Sequence, residues 1–208
     1  MSDEAEIMRA VENWILWRDQ GDWDRFRTLW HPDGVMIATW FQGSFEQFIE
    51  NSRRAWEMGA LVHHFLGGAT VTVNDRRAVS QAKMNISVRA PVHDVLCDVT
   101  CTGRFFDYFE RLGKRWLLSR RQVIYEKDRL DPVEPGQTVK LDQALLERFP
   151  VGYRHLAYLQ LHAGHSVLMD LPGLRGAAVQ RLYAGAECWL RSESDWRTGW
   201  LPYGEHRL

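Results

Sequence analysis

With 208 residues, the chain is long enough for one domain with a substantial core plus an appendage, and short for two full domains. A net charge of −1, with Lys and Arg scattered along the chain, implies neither nucleic acid nor an anionic membrane as partner; a neutral or weakly charged small molecule is the expected ligand. The N-terminal MSDEAEIM is acidic without a signal-peptide pattern, no apolar run approaches membrane-spanning length, and the three cysteines lack zinc-type spacing, so a cytoplasmic, reduced chain is expected.

Residues 4–20 carry Met8, Val11 and Ile15 at helical spacing and end at Gly21, a helix terminator. Asp22 is placed to cap a second short helix in which Trp23, Phe26, Leu29 and Trp30 follow the helical repeat. HPDG at 31–34 is turn chemistry and VMIATWF behind it a strand, while Ser44 and Gln47 form a capping box for a helix through about Met58, closed by Gly59. The period then changes. Residues 61–73, 78–90, 95–110 and 115–126 read as strands separated by VNDRR, APVHD and RLGKR. Helices segregated from a run of antiparallel strands indicate an α+β class, a curved sheet with helices packed on one face around a hollow. LDPVEPGQT at 130–138 marks a boundary, and beyond it LDQALLERF, YRHLAYLQLHAG and LRGAAVQRLYAGAECWL are helical, broken at Leu171-Pro172-Gly173. The expected organisation is a pocket domain at 1–129, a linker at 130–138 and a helical C-terminal extension at 139–208, acting as a pocket lid or a subunit interface. A homo-oligomer, dimer or trimer, is expected.

Asp19 falls in the stripe made by Met8, Val11 and Ile15, which aims a carboxylate at the interior. Such a group needs an imidazole or guanidinium partner, unless the last helical turn frays and solvates it. LVHHFLGGATVTV raises a second question, because successive strand residues face opposite ways and His63 and His64 cannot share a cavity. An unbroken strand turns His63 in; a bulge at Gly67-Gly68 reverses the choice. Arg120 and Arg121 pose the same alternative, with Arg121, Val123 and Tyr125 on one face and Trp116, Leu118 and Arg120 on the other. Cys97, Val99, Cys101 and Phe105 form the apolar face of their strand, and Met84, Ile86 and Val88 extend it. The expected substrate-binding wall is Trp40, Met84, Ile86, Val99, Cys101, Phe105 and Tyr125. Cys97 and Cys101 lie roughly 13 Å apart on one strand, too far for a disulfide, and nothing nearby activates either thiol. His155, His162 and His165 suggest no metal site, since Gly164 ends their helix; no cofactor and no metal are expected, and no phosphate loop or nucleophile elbow is present.

GDWDRFRTLWHPDG after the first helix, the histidine-led strand and GRFFDYFERLGKRWLLSRR at 103–121 together resemble the SnoaL-like branch of the nuclear transport factor 2-like superfamily. The resemblance spans residues 4–127 and is strongest to its cofactor-independent lyases, of the scytalone dehydratase and hexachlorocyclohexane dehydrochlorinase types. It implies a cone of curved antiparallel sheet closed by helices around a deep pocket. In the dehydrochlorinase pattern an Asp precedes a Trp by eleven residues, as Asp19 precedes Trp30. A catalytic His opens a strand four residues before an Asn, as His64 stands before Gly68. A pocket Arg follows a Trp by five residues, as Arg121 follows Trp116. The amide is missing at Gly68, and Trp17 and Arg18 stand where scytalone dehydratase uses tyrosine. The resemblance therefore implies His64 as general base, Asp19 as its orienting partner and Arg121 as stabiliser of the leaving group or enolate. Elimination of water from a hydrophobic, aromatic or polycyclic substrate is the reading adopted. Loss of formaldehyde from a lignin-derived diaryl compound, a non-catalytic binding protein and an oxygenase subunit with an external iron or haem partner are its rivals.

Overall fold

The computed structural model describes residues 1–197. Helix α1, Asp3–Gln20, is capped by the Ser2 hydroxyl, which accepts the Ala5 N–H, and stops at Gly21, whose φ of 75° is the left-handed turn that glycine adopts without strain. Space also demands glycine there: a Cβ on Gly21 would lie 2.9 Å from the Trp56 ring. Asp22 caps α2, Trp23–Arg27, and the Ser44 hydroxyl accepts the Gln47 N–H to open α3, Phe45–Glu57. Between α2 and α3 run β1, Trp30–Ile37, and the short β2, Gln42–Ser44.

Four long strands follow: β3, Leu61–Asn74; β4, Arg77–Val92; β5, Val95–Leu112; and β6, Arg115–Pro132. The turn between β4 and β5 is His93-Asp94 with φ of 47° and 66°, the positive pair that a two-residue hairpin turn matched to strand twist requires. The sheet order is β2-β1-β6-β5-β4-β3, antiparallel throughout except that β1 runs parallel to β6. It does not close into a barrel. Helices α4, Gln143–Leu146, and α5, Arg154–His162, follow, and α6, Ala177–Leu190, completes the described chain. Among the described residues no helix is long and apolar enough to cross a membrane.

The fold is α+β as expected, with differences in detail. Strand β6 continues to Pro132, into the stretch expected to be linker, and the Val133 N–H is still bound to the Leu96 carbonyl. The helices are not confined to one face. Ile7, Val11, Trp14, Phe26 and Phe48 pack against the concave side together with Leu156, Tyr158 and Phe149 of the C-terminal segment. On the opposite side α6 lays Val179, Leu182, Ala186 and Trp189 over Phe106, Tyr108 and Ile124. Over the middle of β5 and β6 both sheet faces are thereby covered, which explains why neighbouring residues such as Phe105 and Phe106 are both buried.

Candidate active site

The face of α1 that turns inward differs by one position from the one the periodicity favoured. Ile7, Val11 and Trp14 are the fully buried residues, and the same spacing leads next to Arg18; Met8 and Ile15 are only partly buried. Asp19 sits at the flank of this face, turned toward β3. It is not frayed into solvent: its Oδ2 accepts the backbone N–H of His64 at 2.7 Å, its Oδ1 lies 2.8 Å from His64 Nδ1, and Arg18 Nη1 donates to Oδ1 at 3.2 Å. Burial alone would raise the Asp19 carboxyl, but the hydrogen bonds and charge of His64 and the charge of Arg18 outweigh it and hold it below its ordinary value.

His64 reaches that carboxylate because β3 contains a bulge. Leu66 pairs with Met84 and Ala69 with Ala82, so β3 spends one extra residue at Gly67-Gly68. His64 and Leu66 before the bulge and Ala69, Val71 and Val73 after it therefore share the inner face, and His63 is exposed on the other. With Nδ1 engaged by a carboxylate, the proton sits there and Nε2 is left as an acceptor on the cavity wall. Burial pushes the imidazole below its ordinary value. The Asp19 bond and charge oppose this without overcoming it, and the charges of Arg18 and Arg121 add to the lowering. The neutral imidazole is thus the resting form at neutral pH, as a general base requires.

Arg121 is not where a leaving-group stabiliser must be. Asp107, opposite it on β5, holds its Nε at 2.7 Å and its Nη2 at 2.6 Å, and both side chains are completely buried. The guanidinium lies between two rings, 4.1 Å from the centre of Trp14 and 3.8 Å from that of Phe105. Those rings line the cavity and Arg121 does not. Its expected role as a pocket cation is corrected accordingly: it supports the floor under Trp14 and acts on His64 only through its charge. The cavity wall carries other arginines instead, and among them Arg18, next to Asp19, continues the Ile7, Val11, Trp14 series.

The cavity has a volume of about 600 Å³, within the range that suits a small organic ligand. Trp40, Met84, Ile86, Phe105 and Tyr125 line it as expected, and Trp14, Phe41 and Phe48 add further aromatic wall. Val99 and Cys101 face the same way but do not line it. They are fully buried in the core beneath the C-terminal segment, with Cys101 Sγ 3.5 Å from the Gly152 carbonyl. Burial pushes the Cys101 thiol far up, which removes thiolate chemistry there. Helix α5 supplies Leu156, Leu159 and Gln160 to the wall, and His165, packed 5.3 Å from the Trp40 ring, closes it. Helical spacing is visible in this segment, but not its place on the wall, because the contact is made between distant parts of the chain. Polar atoms are few: the Thr39 and Ser52 hydroxyls and Gln160 Oε1 are buried without partners on the cavity wall. Among the described residues no group of three or more His, Cys, Asp or Glu side chains could hold a metal ion. His155 is bound to Asp128, and His162 stacks on Tyr158 at 4.3 Å.

A family profile described as SnoaL-like domain matches residues 1–122. Among curated relatives, the uncharacterized protein AN9274 of Emericella nidulans is 34% identical over 204 residues, covering 90% of this chain and 86% of that protein. Pea pathogenicity protein 2 of Fusarium vanettenii is 31% identical over 202 residues, covering 92% and 87%. Both similarities extend past residue 122 into the C-terminal helices. Among solved structures, a Novosphingobium aromaticivorans protein named "Putative Scytalone Dehydratase" superposes with a TM-score of 0.52 at 13% identity, covering 65% of this chain and 94% of that one. A type 2 hexachlorocyclohexane dehydrochlorinase, LinA, superposes with a TM-score of 0.50 at 12% identity, covering 66% and 93%. At these identities the two structures share the fold.

Proposed function

The chain belongs to the SnoaL-like domain family, and from that membership and its site geometry we propose that it is a cofactor-independent lyase whose base is His64. The observation that carries this reading is the double grip of Asp19 on His64, with Nε2 left open to a largely apolar cavity that includes several aromatic rings. Neutral Nε2 takes a proton from a carbon next to an activating group. The imidazolium that forms is held by Asp19 through Nδ1–H, in its tautomer and against its new charge. The electron pair of the broken C–H bond forms the C=C bond as the β-hydroxyl departs, and the proton on Nε2 goes with it, so the net product is water. The apolar lining of Trp14, Trp40, Phe48, Phe105 and Tyr125 suits a hydrophobic, aromatic or polycyclic substrate. The fold shared with the dehydratase and the dehydrochlorinase supports the same class of chemistry.

The test is to incubate purified protein, without added cofactor, with hydrophobic β-hydroxy carbonyl and aryl-diol compounds in deuterated water. Elimination or solvent deuterium exchange that is lost in both Asp19→Asn and His64→Ala is the expected result. Compounds that bind but neither react nor exchange would overturn it in favour of a non-catalytic binding protein.

A further inference from the structure

Three arginines reach the wall of the cavity, and two are held at its rim. Arg89 is bound to Asp98 by two hydrogen bonds of 2.7 Å with its side chain 44% exposed, and Arg54 lies 3.2 Å from Glu50 with its side chain 61% exposed. Arg18 is different. Its side chain is 11% exposed and, among the described residues, its one anionic partner is Asp19 through a single 3.2 Å bond from Nη1 and its Nε–H is buried without any partner. That one partner is also shared, because both Asp19 oxygens already accept from His64 at 2.7 and 2.8 Å. A guanidinium presents five N–H donors in a planar fork, and leaving one of them buried and unmet is costly. Arg121 in the same molecule has two short bonds to a carboxylate of its own, Asp107, although its Nη1 is also buried without a partner among the described residues. Arg18 therefore has donors to spare, beside the base, on a wall where the other unpartnered groups are neutral.

On the reading that His64 is the base, we propose that Arg18 binds the oxygen on which negative charge develops, and that the substrate is a carbonyl compound deprotonated at the carbon next to its C=O. Removal of the C–H proton to Nε2 sends the electron pair into an enolate, whose oxygen meets the Arg18 fork. Collapse of the enolate re-forms C=O, makes the new C=C bond and expels the β-hydroxyl, which takes the proton from Nε2. The two charges formed in the first step then have separate counter-ions, the imidazolium at Asp19 and the enolate at Arg18, both anchored to Asp19 Oδ1.

A carboxylate on an aromatic frame mimics the enolate oxygen without reacting, so binding tests the site independently of turnover. Trp14 and Trp40 line the cavity and report occupancy by fluorescence quenching. At pH 8, where His64 is neutral, the wild-type protein is expected to bind 2-naphthoate about tenfold or more tightly than 2-naphthylmethanol. Arg18→Met should abolish the preference while keeping the affinity for the alcohol, Arg18→Lys should keep part of it, and His64→Ala should keep all of it. In the wild-type protein, which avoids any folding defect of the variants, 2-naphthoate and not the alcohol should shift the Arg18 Nε–H resonance. Absence of the preference, its survival in Arg18→Met, or an unmoved Nε–H signal overturns the proposal. If no compound is turned over yet the preference follows Arg18, the lyase reading falls and the oxyanion site stands. If turnover is found and naphthoate binding ignores Arg18, the reverse holds.

Discussion

Asp19 holds His64 at two points, accepting its backbone N–H at Oδ2 and its ring Nδ1–H at Oδ1, at 2.7 and 2.8 Å. Asp128 holds His155 in the same way, at 2.6 and 2.8 Å, and also accepts the Leu156 N–H at 2.9 Å. There the arrangement caps the start of α5. The double grip is thus a device for locking an imidazole, and the first copy differs in that its ring lines the cavity.

Asp19→Asn keeps the size of the side chain and removes its charge. The amide can still accept one bond from His64, but it no longer compensates an imidazolium, and its NH₂ competes for the wrong tautomer. A fall in kcat of about 10²–10⁴ is expected, with KM little changed. Nitrogen chemical shifts of the His64 ring, which report its tautomer, should change in step with kcat.

The pH dependence follows from the direction of two shifts. Both His64 and Asp19 are held below their ordinary values, of 6.5 and 3.8. A depressed His64 means that the unfolded chain takes up this proton first, so stability is complete above about pH 6.5 and declines as pH falls below it. A depressed Asp19 stabilises above its unfolded value and loses that contribution as pH falls through its folded one. The two act in the same direction. The acid limb of kcat/KM should lie below pH 6.5, and the urea midpoint should decrease from pH 7.5 to pH 5; an acid limb above 6.5 would contradict the burial of a neutral base.

Much of this was legible locally and little of it across the chain. The caps at Asp22 and Ser44 and the stop at Gly21 are decided by residues within a few positions, and their patterns lead to the right elements. Facing is harder, because one extra residue inverts it. Leu118 pairs with Phe109 and Arg120 with Tyr108, so Ser119 is a bulge, and Trp116 and Leu118 share the inner face with Arg121, not with Arg120 as alternation implies. The pocket role of Arg18 was hidden for another reason: a charged residue within an apolar helical stripe lowers the contrast by which that stripe is recognised. The partnership of Asp107 with Arg121 and the seat of α5 depend on pairing between distant segments, which periodicity does not encode.

Asp107 and Arg121 should behave as a structural pair. Asp107→Ala leaves a buried guanidinium without its carboxylate and is expected to cost about 3–5 kcal/mol, seen as a lowered urea midpoint. The double variant Asp107→Leu, Arg121→Met, which replaces the pair by apolar side chains, should recover most of that loss. It should still bind cavity ligands. Loss of the Arg121 charge should also raise the His64 pKa slightly, moving the acid limb upward, since that charge contributes to the lowering.

The C-terminal helices are expected to be part of the folding unit and of the cavity. Leu146, Phe149, Tyr153, Leu156 and Tyr158 are buried in the same cluster as Val11, Trp14 and Val99. A chain truncated after Gln137 should expose this side of the sheet and lose cooperative unfolding; a truncated chain that unfolds as sharply as the full one would show the segment to be dispensable. A gentler probe is Gly152, which lies where the chain enters α5. A Cβ there would lie 2.5 Å from the Tyr125 carbonyl oxygen, a backbone atom that cannot swing away. Gly152→Ala must therefore lift the start of α5 from β6 and displace Leu156, Leu159 and Gln160 from the cavity wall. The expected result is weaker binding of cavity ligands, a raised KM with kcat reduced less, and a lower thermal midpoint. Asp19 and His64 are expected to stay in contact in that variant, because the bonds that join them run between α1 and β3, so the His64 ring resonances should remain near those of the wild type. A large change in those resonances would show that α5 positions the base as well as the wall.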